Sequence, residues 1–238
     1  MMRKIDKNCD LSSKYKAWEE DMEDNNKPHP KYSSSNGKYY WDIKMQLHRC
    51  QRGLCAYTEK ELCDEEFFSE ECWEEGSYKN RPEQAGKFGD LEHFDENLKT
   101  KKGDEINRKD WLWRNFFVVD SDVNNWKGTQ EVDDILKPDR EGYDPFSLLD
   151  YVVETHEFIP KRGLEEEIEE RVRKMILVLG INTVRNNRRK YLRKLFRLYR
   201  LGALDDFLPP NEYPTAYEFC KQQIERQEKD ITDQDLTF

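Results

Sequence analysis

The chain contains little that would place it in a membrane or outside the cell. No apolar segment approaches the length of about 18 residues that a transmembrane helix needs. The segment from Met1 to Asp10 lacks the apolar stretch of a signal peptide. The six cysteines follow no regular spacing, and without a secretion signal we expect them as free thiols in a reducing compartment. The sequence therefore predicts a cytoplasmic protein with no membrane span.

The chain also contains few apolar residues and no internal repeat. Charged residues make up 38% of its 238 positions, and the mean hydropathy is −1.08, values that lean towards disorder. Aromatic residues nevertheless account for 13%, which provides enough apolar surface for a core. The net charge of −10 argues mildly against free, non-specific binding to nucleic acid. The composition predicts a globular protein with a highly charged surface.

Charge is distributed unevenly along the chain. Between Glu59 and Glu75 every charged residue except Lys60 is acidic, whereas between Arg171 and Arg200 every charged residue is basic. Apolar residues recur in the basic segment with helical spacing, which predicts two amphipathic helices with cationic polar faces. These polar faces are candidates for contact with phosphates or with an acidic partner.

The apolar periodicity and the helix- and strand-breaking residues predict an α+β fold in three parts. Helices are predicted at residues 11–24, 39–49, 164–179, 183–201 and 214–229, and a further helix begins at Asp122 or Val123. A hairpin is predicted at 54–61, and strands at 87–94, 111–119 and 152–159. We divide the chain into an N-terminal helix and linker (1–37), a core with an acidic insertion (38–160) and a helical C-terminal region with basic helices (161–238).

A carboxylate, an imidazole and two amides form the most informative pattern in the chain. Glu92 and His93 end one predicted strand, and the next strand leads from Asn115 towards a helix with Asn124. Oxygen ligands from Glu92 and Asn124 suit one hard ion, Mg²⁺ or Mn²⁺. Neutral His93 can act as general base on a water molecule, while Asn115 fixes the loop that aims the imidazole. Lys127 lies on the same helical face as Asn124 and can contact a phosphate.

Five segments in the same order resemble the HNH, or ββα-metal, endonucleases of Septu-type and retron-type antiphage systems. They are Cys55-Ala-Tyr-Thr-Glu59, Leu91-Glu-His-Phe94, Trp113-Arg-Asn115, Asn124-Asn-Trp-Lys-Gly128 and Leu179-Gly-Ile-Asn182, the last followed by Arg185, Arg188 and Arg189. The similarity covers roughly residues 39–199 and implies a small ββα-metal core with flanking helices. It also implies hydrolysis of phosphodiester bonds in DNA or RNA, with the three arginines at the nucleic acid.

The resemblance further implies partners, and it contains one departure. Members of this group act with an ATPase of the ABC or SMC-like type, and retron versions add a reverse transcriptase with its multicopy single-stranded DNA. They usually carry a zinc knuckle of two Cys-x-x-Cys pairs. Here the corresponding positions are Cys55 and Thr58 in one pair, and Asp120 and Val123 in the other. A structural zinc needs four closed ligands, so we expect none at this place.

Alternatives stay open for single residues and for the whole protein. Asn125 competes with Asn124 as the metal ligand, and His156 is either structural or in contact with substrate. His29 and His48 have no partner pattern. The missing thiolates leave open a catalytically decayed HNH scaffold that serves as an assembly or nucleic-acid-binding subunit. A zinc-dependent DNA-binding regulator is a third class, for which too few paired cysteines remain. A rebuilt zinc site would have to draw on Cys50, Cys63 and Cys72.

Overall fold

The computed structural model describes residues 3–8, 12–33, 37–79, 88–98, 108–200 and 210–235. Its helices are α1 (Ser13–Asp24), α2 (Tyr40–Gln51), α3 (Ser121–Lys127), α4 (Pro145–Leu148), α5 (Glu166–Val178), α6 (Arg185–Arg200) and α7 (Pro214–Asp235). Its strands pair as antiparallel hairpins, β1 (Trp73–Glu74) with β2 (Ser77–Tyr78), β3 (Asp90–His93) with β4 (Phe116–Val119), and β5 (Leu149–Val152) with β6 (Glu157–Pro160). Helices combined with small antiparallel sheets confirm the predicted α+β class. Within these ranges no helix is both long and apolar enough to cross a membrane.

The β3–β4 hairpin is joined directly to α3, so the order strand, strand, helix is present where the sequence predicted it. Asp90 pairs with Val119 at one end of the hairpin, and His93 pairs with Phe116 at the other. Gly89 enters β3 with a φ of 68°, and an added Cβ would lie 2.4 Å from the carbonyl oxygen of Val119. Glycine is therefore required at the start of this strand.

Helix α2 supports both strands of this hairpin through side-chain amide and imidazole contacts. The amide of Gln51 donates to the carbonyl oxygen of Val118 at 2.8 Å and accepts from the N–H of Val118 at 2.9 Å. Gln51 thus takes the place of a further strand at the edge of β4. His48 Nε2 lies 2.9 Å from the carbonyl oxygen of Phe88, just before β3. These buried contacts fix the hairpin against the helix.

The two faces of β4 pack into different apolar clusters. Phe116 and Val118 belong to a cluster with α1 and α2, whereas Phe117 and Val119 belong to a larger cluster that includes Met175 of α5. A strand that is buried on both faces needs an uninterrupted apolar sequence rather than an alternating one. The hairpin therefore lies between the N-terminal and C-terminal helices and connects them.

Glu59 holds three distant parts of the chain together. Its backbone has a left-handed φ of 59°, and its side chain is buried. The carboxylate accepts from the N–H of Arg3 at 2.8 Å and from the N–H of Thr215 at 2.9 Å. Its carbonyl oxygen accepts from the N–H of Tyr213 at 2.9 Å. The N-terminal segment, the loop before Glu59 and the start of α7 are fixed to one another at this residue.

Two of the predicted strands differ from the structure. The single strand expected over 152–159 is wrong, because β5 and β6 form a hairpin with a turn at 153–156. His156 closes that turn with a φ of 58°, a conformation that apolar alternation does not reveal. The strand expected over 111–119 is limited to Phe116–Val119, since Trp113–Asn115 form a 3₁₀ turn. The predicted boundaries at Leu11, Lys87 and Leu201 lie outside the described residues.

Candidate active site

A cleft of about 480 Å³ opens beside β3 and α3 and is called the β3 cleft below. It is lined by residues of both elements together with two tyrosines from the N-terminal part, among them Tyr32, Tyr40, Asp90, Glu92, His93, Glu96, Asn124 and Asn125. The structure therefore brings the three predicted chemical groups, Glu92, His93 and Asn124, to one cleft. Their individual contacts decide what each can do.

His93 ends β3, and its imidazole is buried between aromatic rings. The centroid of its ring lies 4.5 Å from that of Phe116 and 4.8 Å from that of Tyr32, which it meets edge-on. Nε2 lies 2.9 Å from the carbonyl oxygen of Asp110. A carbonyl oxygen only accepts, so Nε2 carries the proton in this contact and Nδ1 is the basic nitrogen of the neutral ring. Packing and hydrogen bonding together fix the tautomer and the orientation of the ring.

Asn115 holds the chain where it leaves β3. Its Oδ1 accepts from the N–H of Asp95 and its Nδ2 donates to the carbonyl oxygen of Asp95, both at 2.9 Å. The carbonyl oxygen of Asn115 also accepts from the N–H of Phe94 at 2.8 Å. Asn115 thus holds both residues that follow His93, Phe94 through its backbone and Asp95 through its buried amide, and this is the loop-fixing geometry expected from the sequence. Asn115 makes these contacts with backbone and lies outside the lining of the β3 cleft.

The Glu92 carboxylate is engaged by two protein groups. Its Oε1 lies 2.6 Å from Nζ of Lys127, and its Oε2 accepts from the hydroxyl of Tyr57 at 2.5 Å. Lys127 also donates to the carbonyl oxygen of His93 at 3.2 Å. Both charged side chains are almost fully buried, with 2% and 1% of their surface exposed. Burial raises the pKa of Glu92, and the Lys127 ammonium and the Tyr57 hydroxyl oppose that rise.

This geometry bears on two expectations. The oxygens of Glu92 face Lys127 and Tyr57 inside the protein, so the carboxylate is engaged by protein groups before any metal ion binds. Lys127 does not face solvent, so it is not placed to contact a phosphate, although it lies on the expected side of α3. A buried ammonium needs a counter-charge, and the nearest carboxylate supplies it. The pair instead ties α3 to β3 beneath the cleft.

Asp90 is the residue that the sequence interpretation missed. It lies two positions before Glu92 and therefore on the same face of β3. One oxygen of its carboxylate accepts from Nδ2 of Asn124 at 3.2 Å. Both side chains are partly exposed and line the β3 cleft. The spacing acid–x–acid within one strand was the available signal, since such residues share a face.

The donor groups at this place suit a hard cation. Asp90 offers carboxylate oxygens, and the Asn124 amide can present its oxygen instead of its nitrogen by turning about its last bond. Among the described residues, no group of three or more His, Cys, Asp and Glu side chains converges as a metal site. Mg²⁺ is commonly held by one or two carboxylates and completes its shell with waters. Asp90 and Asn124 therefore fit Mg²⁺ or Mn²⁺ better than an ion that needs a closed set of protein ligands.

The three arginines expected at nucleic acid have different environments. Arg188 is fully buried and donates to the carbonyl oxygens of His156 at 3.0 Å and of Ile181 at 2.6 Å, so its assignment to nucleic acid is wrong. It faces the core because it lies one helical turn before buried Leu192. Arg185 is exposed and forms an ion pair with Glu157. The side chain of Arg189 is half-buried.

The positions that correspond to the zinc knuckle are joined by protein contacts. The buried Cys55 Sγ accepts from the N–H of Asp120 at 3.4 Å. Asp120 also caps α3 by accepting from the N–H of Asp122, and its other oxygen lies 2.6 Å from Nζ of Lys60. The loop at residues 55–60 and the start of α3 are thereby connected through the Asp120 carboxylate, the Cys55 thiol and the Lys60 ammonium.

Comparison with known proteins does not extend this description. No protein-family model matches the chain, and no curated protein is similar to it. The functional interpretation therefore depends on the residues of the β3 cleft themselves.

Proposed function

We propose that this protein is a metal-dependent endonuclease of the HNH type that hydrolyses phosphodiester bonds. The observation that carries the proposal is the position of His93, at the end of the first strand of a strand–strand–helix unit. Its Nε2 is satisfied by a carbonyl oxygen, and its ring lines a cleft that also contains Asp90 and Asn124. A general base beside oxygen ligands for a hard metal ion is the minimum that a one-metal nuclease site requires.

In this proposal each residue has one task. Asp90 and Asn124 hold Mg²⁺ or Mn²⁺, which when bound stabilises negative charge on the phosphate and on the leaving oxygen. His93 accepts a proton at Nδ1 from the attacking water. Asn115 holds the loop after His93, and the buried Glu92–Lys127 pair ties α3 to β3. These three residues therefore act as positioning residues.

The wider setting of the proposal is an effector of a bacterial antiphage system that acts with an ABC- or SMC-like ATPase, with or without a reverse transcriptase and its DNA. The net charge of −10 is unfavourable for an independent nucleic-acid-binding enzyme and suits a subunit held in a complex. Trp126 and Leu177 are 55% and 64% exposed, and Trp126 Nε1 donates to the carbonyl oxygen of Leu177 at 2.7 Å. This exposed apolar pair supports contact with a partner protein.

The test is a cleavage assay with labelled single-stranded and duplex DNA and RNA in Mg²⁺, in Mn²⁺ and in chelator. We expect His93→Ala to lower the cleavage rate by at least about 100-fold at a temperature well below the melting temperature of the variant, where circular dichroism shows that it is folded. Asn124→Ala and Asn125→Ala form a matched pair on α3, and only the first should raise the metal concentration needed for cleavage. Undiminished cleavage by His93→Ala would reject the assignment.

A catalytically decayed scaffold is the second candidate. It is favoured by the neutralisation of Glu92 through Lys127 and Tyr57, which removes one carboxylate from the set available to a metal. On this alternative the unmodified protein cleaves none of the four substrates in any ion. Asp90→Asn would then leave both complex formation with the ATPase and nucleic-acid binding unchanged.

A further inference from the structure

A second cavity lies between α6, α7 and the turn that joins β5 to β6. It encloses about 660 Å³ and is called the α6 pocket below. Apolar side chains form much of its lining, including buried Leu192 and Cys220 together with Phe196. The ring of Phe196 is held parallel to that of Tyr217, with 5.5 Å between the centroids and 16° between the planes. The stacking on Tyr217 therefore fixes the orientation of the Phe196 ring at the pocket.

Two exposed arginines stand at the same pocket. Arg193 and Arg197 are separated by one helical turn, so both lie on the side of α6 that faces the cavity. Neither forms an ion pair with any carboxylate in the described part of the chain. Arg185 on the same helix does have such a partner, Glu157. Among the described residues, Glu154 is the one acidic side chain in the lining.

His156 forms the wall of the pocket at the β5–β6 turn. Its ring Nδ1 lies 2.8 Å from the hydroxyl of Tyr151, and its carbonyl oxygen accepts from Arg188. Burial lowers the pKa of His156, and the positive charges of Arg193, Arg188 and Arg189 lower it further. The same positive field that disfavours an imidazolium favours an anion in the cavity.

From these observations we infer that the α6 pocket binds a nucleoside phosphate, with the phosphate at Arg193 and Arg197 and the base against Phe196. Guanidinium groups match phosphate oxygens through paired hydrogen bonds. Any of the nucleobases can stack on an aromatic side chain. The volume lies within the range of small-molecule sites and is larger than a phosphate alone would fill. The bound group is either a free nucleotide or the terminal nucleotide of a strand. The inference does not depend on cleavage in the β3 cleft.

The pocket is tested by titration of the full-length protein in buffer without divalent ions, so that no strand is cut. The probes are adenosine 5′-monophosphate, inorganic phosphate, and a single-stranded hexanucleotide with either a 5′-phosphate or a 5′-hydroxyl. We expect the phosphorylated probes to bind. The double variant Arg193→Gln/Arg197→Gln should weaken binding by about tenfold or more.

Lys190→Gln/Lys194→Gln is the matched control, because it removes the same charge from exposed positions of α6 that do not line the pocket. This control should change the affinity by less than about threefold. Phe196→Leu should weaken binding of the nucleotide but not of inorganic phosphate. Glu154→Gln should strengthen binding of every phosphorylated probe, since it removes a negative charge from the lining.

Two results would overturn the anion site itself. One is an absence of binding by all phosphorylated probes, and the other is an equal loss in the arginine and lysine variants, which would indicate a diffuse electrostatic surface. A phosphoserine peptide that binds as tightly as the nucleotide, and is insensitive to Phe196→Leu, would remove the nucleoside from the proposal. Similar affinities for the mononucleotide and the hexanucleotide identify a free nucleotide as the source. A hexanucleotide that binds tenfold more tightly identifies a strand end.

Discussion

The β3 cleft and the α6 pocket differ in whether their charged side chains are paired within the protein. In the cleft, Glu92 is neutralised by Lys127 within the protein, and both side chains are withdrawn from water. At the pocket, Arg193 and Arg197 are exposed and are not paired with a carboxylate among the described residues. The first arrangement fixes the shape of a site before any ligand arrives. The second leaves a positive field that a ligand of opposite charge can neutralise.

The difference shows that the number of charged residues in a segment does not indicate how many of them can contact a ligand. The acidic and basic blocks of the sequence suggest an electrostatic division of the molecule, yet Arg188 in the basic block is as buried as Lys127 in the cleft. A charge that is paired inside the protein affects stability, whereas an exposed charge affects binding. Substitutions in the two regions should therefore produce different kinds of effect.

The largest expected effect on stability is at the buried pair of the β3 cleft. Lys127→Met leaves the Glu92 carboxylate buried without its cation, and we expect the free energy of unfolding to fall by about 3–5 kcal/mol. The measurement is urea unfolding followed by tryptophan fluorescence. Glu92→Gln/Lys127→Met should cost less than the sum of the two single changes, because neither charge is then left alone. An additive result would show that the two groups are not coupled.

The next effect concerns activity rather than stability. Asp90→Asn removes the carboxylate beside Asn124, and we expect the cleavage rate in Mn²⁺ to fall on the order of 100-fold, or about 2.7 kcal/mol. Higher Mn²⁺ concentrations should recover part of the rate. Asp24→Asn, an exposed acid at the end of α1, is the control and should be neutral. If the loss is instead found with Asp24→Asn, the assignment of Asp90 to the metal is excluded.

Acid should weaken the frame of the β3 cleft through the buried imidazole of His48. Burial lowers the pKa of His48 to about 3, and the nearby Lys44 ammonium also lowers it. The unfolded chain binds a proton near pH 6.5 and the folded chain does not, so stability falls as the pH decreases from 6.5 towards 3. Between pH 7 and pH 5 we expect a loss of about 2 kcal/mol from this residue.

Thermal unfolding at both pH values, with His48→Gln as the control that removes this titration, measures the contribution. Arginines stay charged throughout this range, whereas a phosphate monoester takes up a proton near pH 6, so nucleotide binding should weaken between pH 7 and pH 5.5 without being lost while the protein remains folded. An equal pH dependence in His48→Gln would assign the acid sensitivity to other groups.

The smallest effect is expected at the exposed ion pair of α6. Arg185→Gln removes the contact with Glu157, and the free energy of unfolding should change by less than about 1 kcal/mol, because water and salt screen such pairs. The same variant is a control for nucleotide binding, since Arg185 does not line the α6 pocket. A large loss of nucleotide affinity in Arg185→Gln would place the anion elsewhere on the helix.

Much of this fold could be predicted from local pattern. The strand–strand–helix order and the late helices follow from apolar periodicity, and the loop-fixing role of Asn115 was expected from the pattern of two asparagines that follow Glu92 and His93. The hairpin of β5 and β6 could not be found in this way, because its turn depends on the left-handed backbone of His156. Strand alternation alone assigns such a residue to an extended segment.

The candidate site was only partly predictable for a related physical reason. Glu92 and Asn124 were placed correctly in one cleft, but the partner of Glu92 depends on the burial of Lys127 and on the approach of Tyr57 from a distant loop. Long-range contacts of this kind leave no trace in local spacing. Asp90 and Arg188, in contrast, could have been identified from the strand and helix periods, since each shares a face with residues already assigned.

The contacts of Glu59 with Arg3, Tyr213 and Thr215, called the Glu59 clamp here, have a consequence for folding during translation. Thr215 follows Glu59 by 156 residues, so its N–H reaches the carboxylate only after the whole segment between them has left the ribosome. Tyr57, which holds Glu92, belongs to the loop that this clamp fixes. A nascent chain that has not yet released Thr215 therefore lacks one of the contacts that hold the loop of Tyr57, the residue that donates to Glu92 at the β3 cleft.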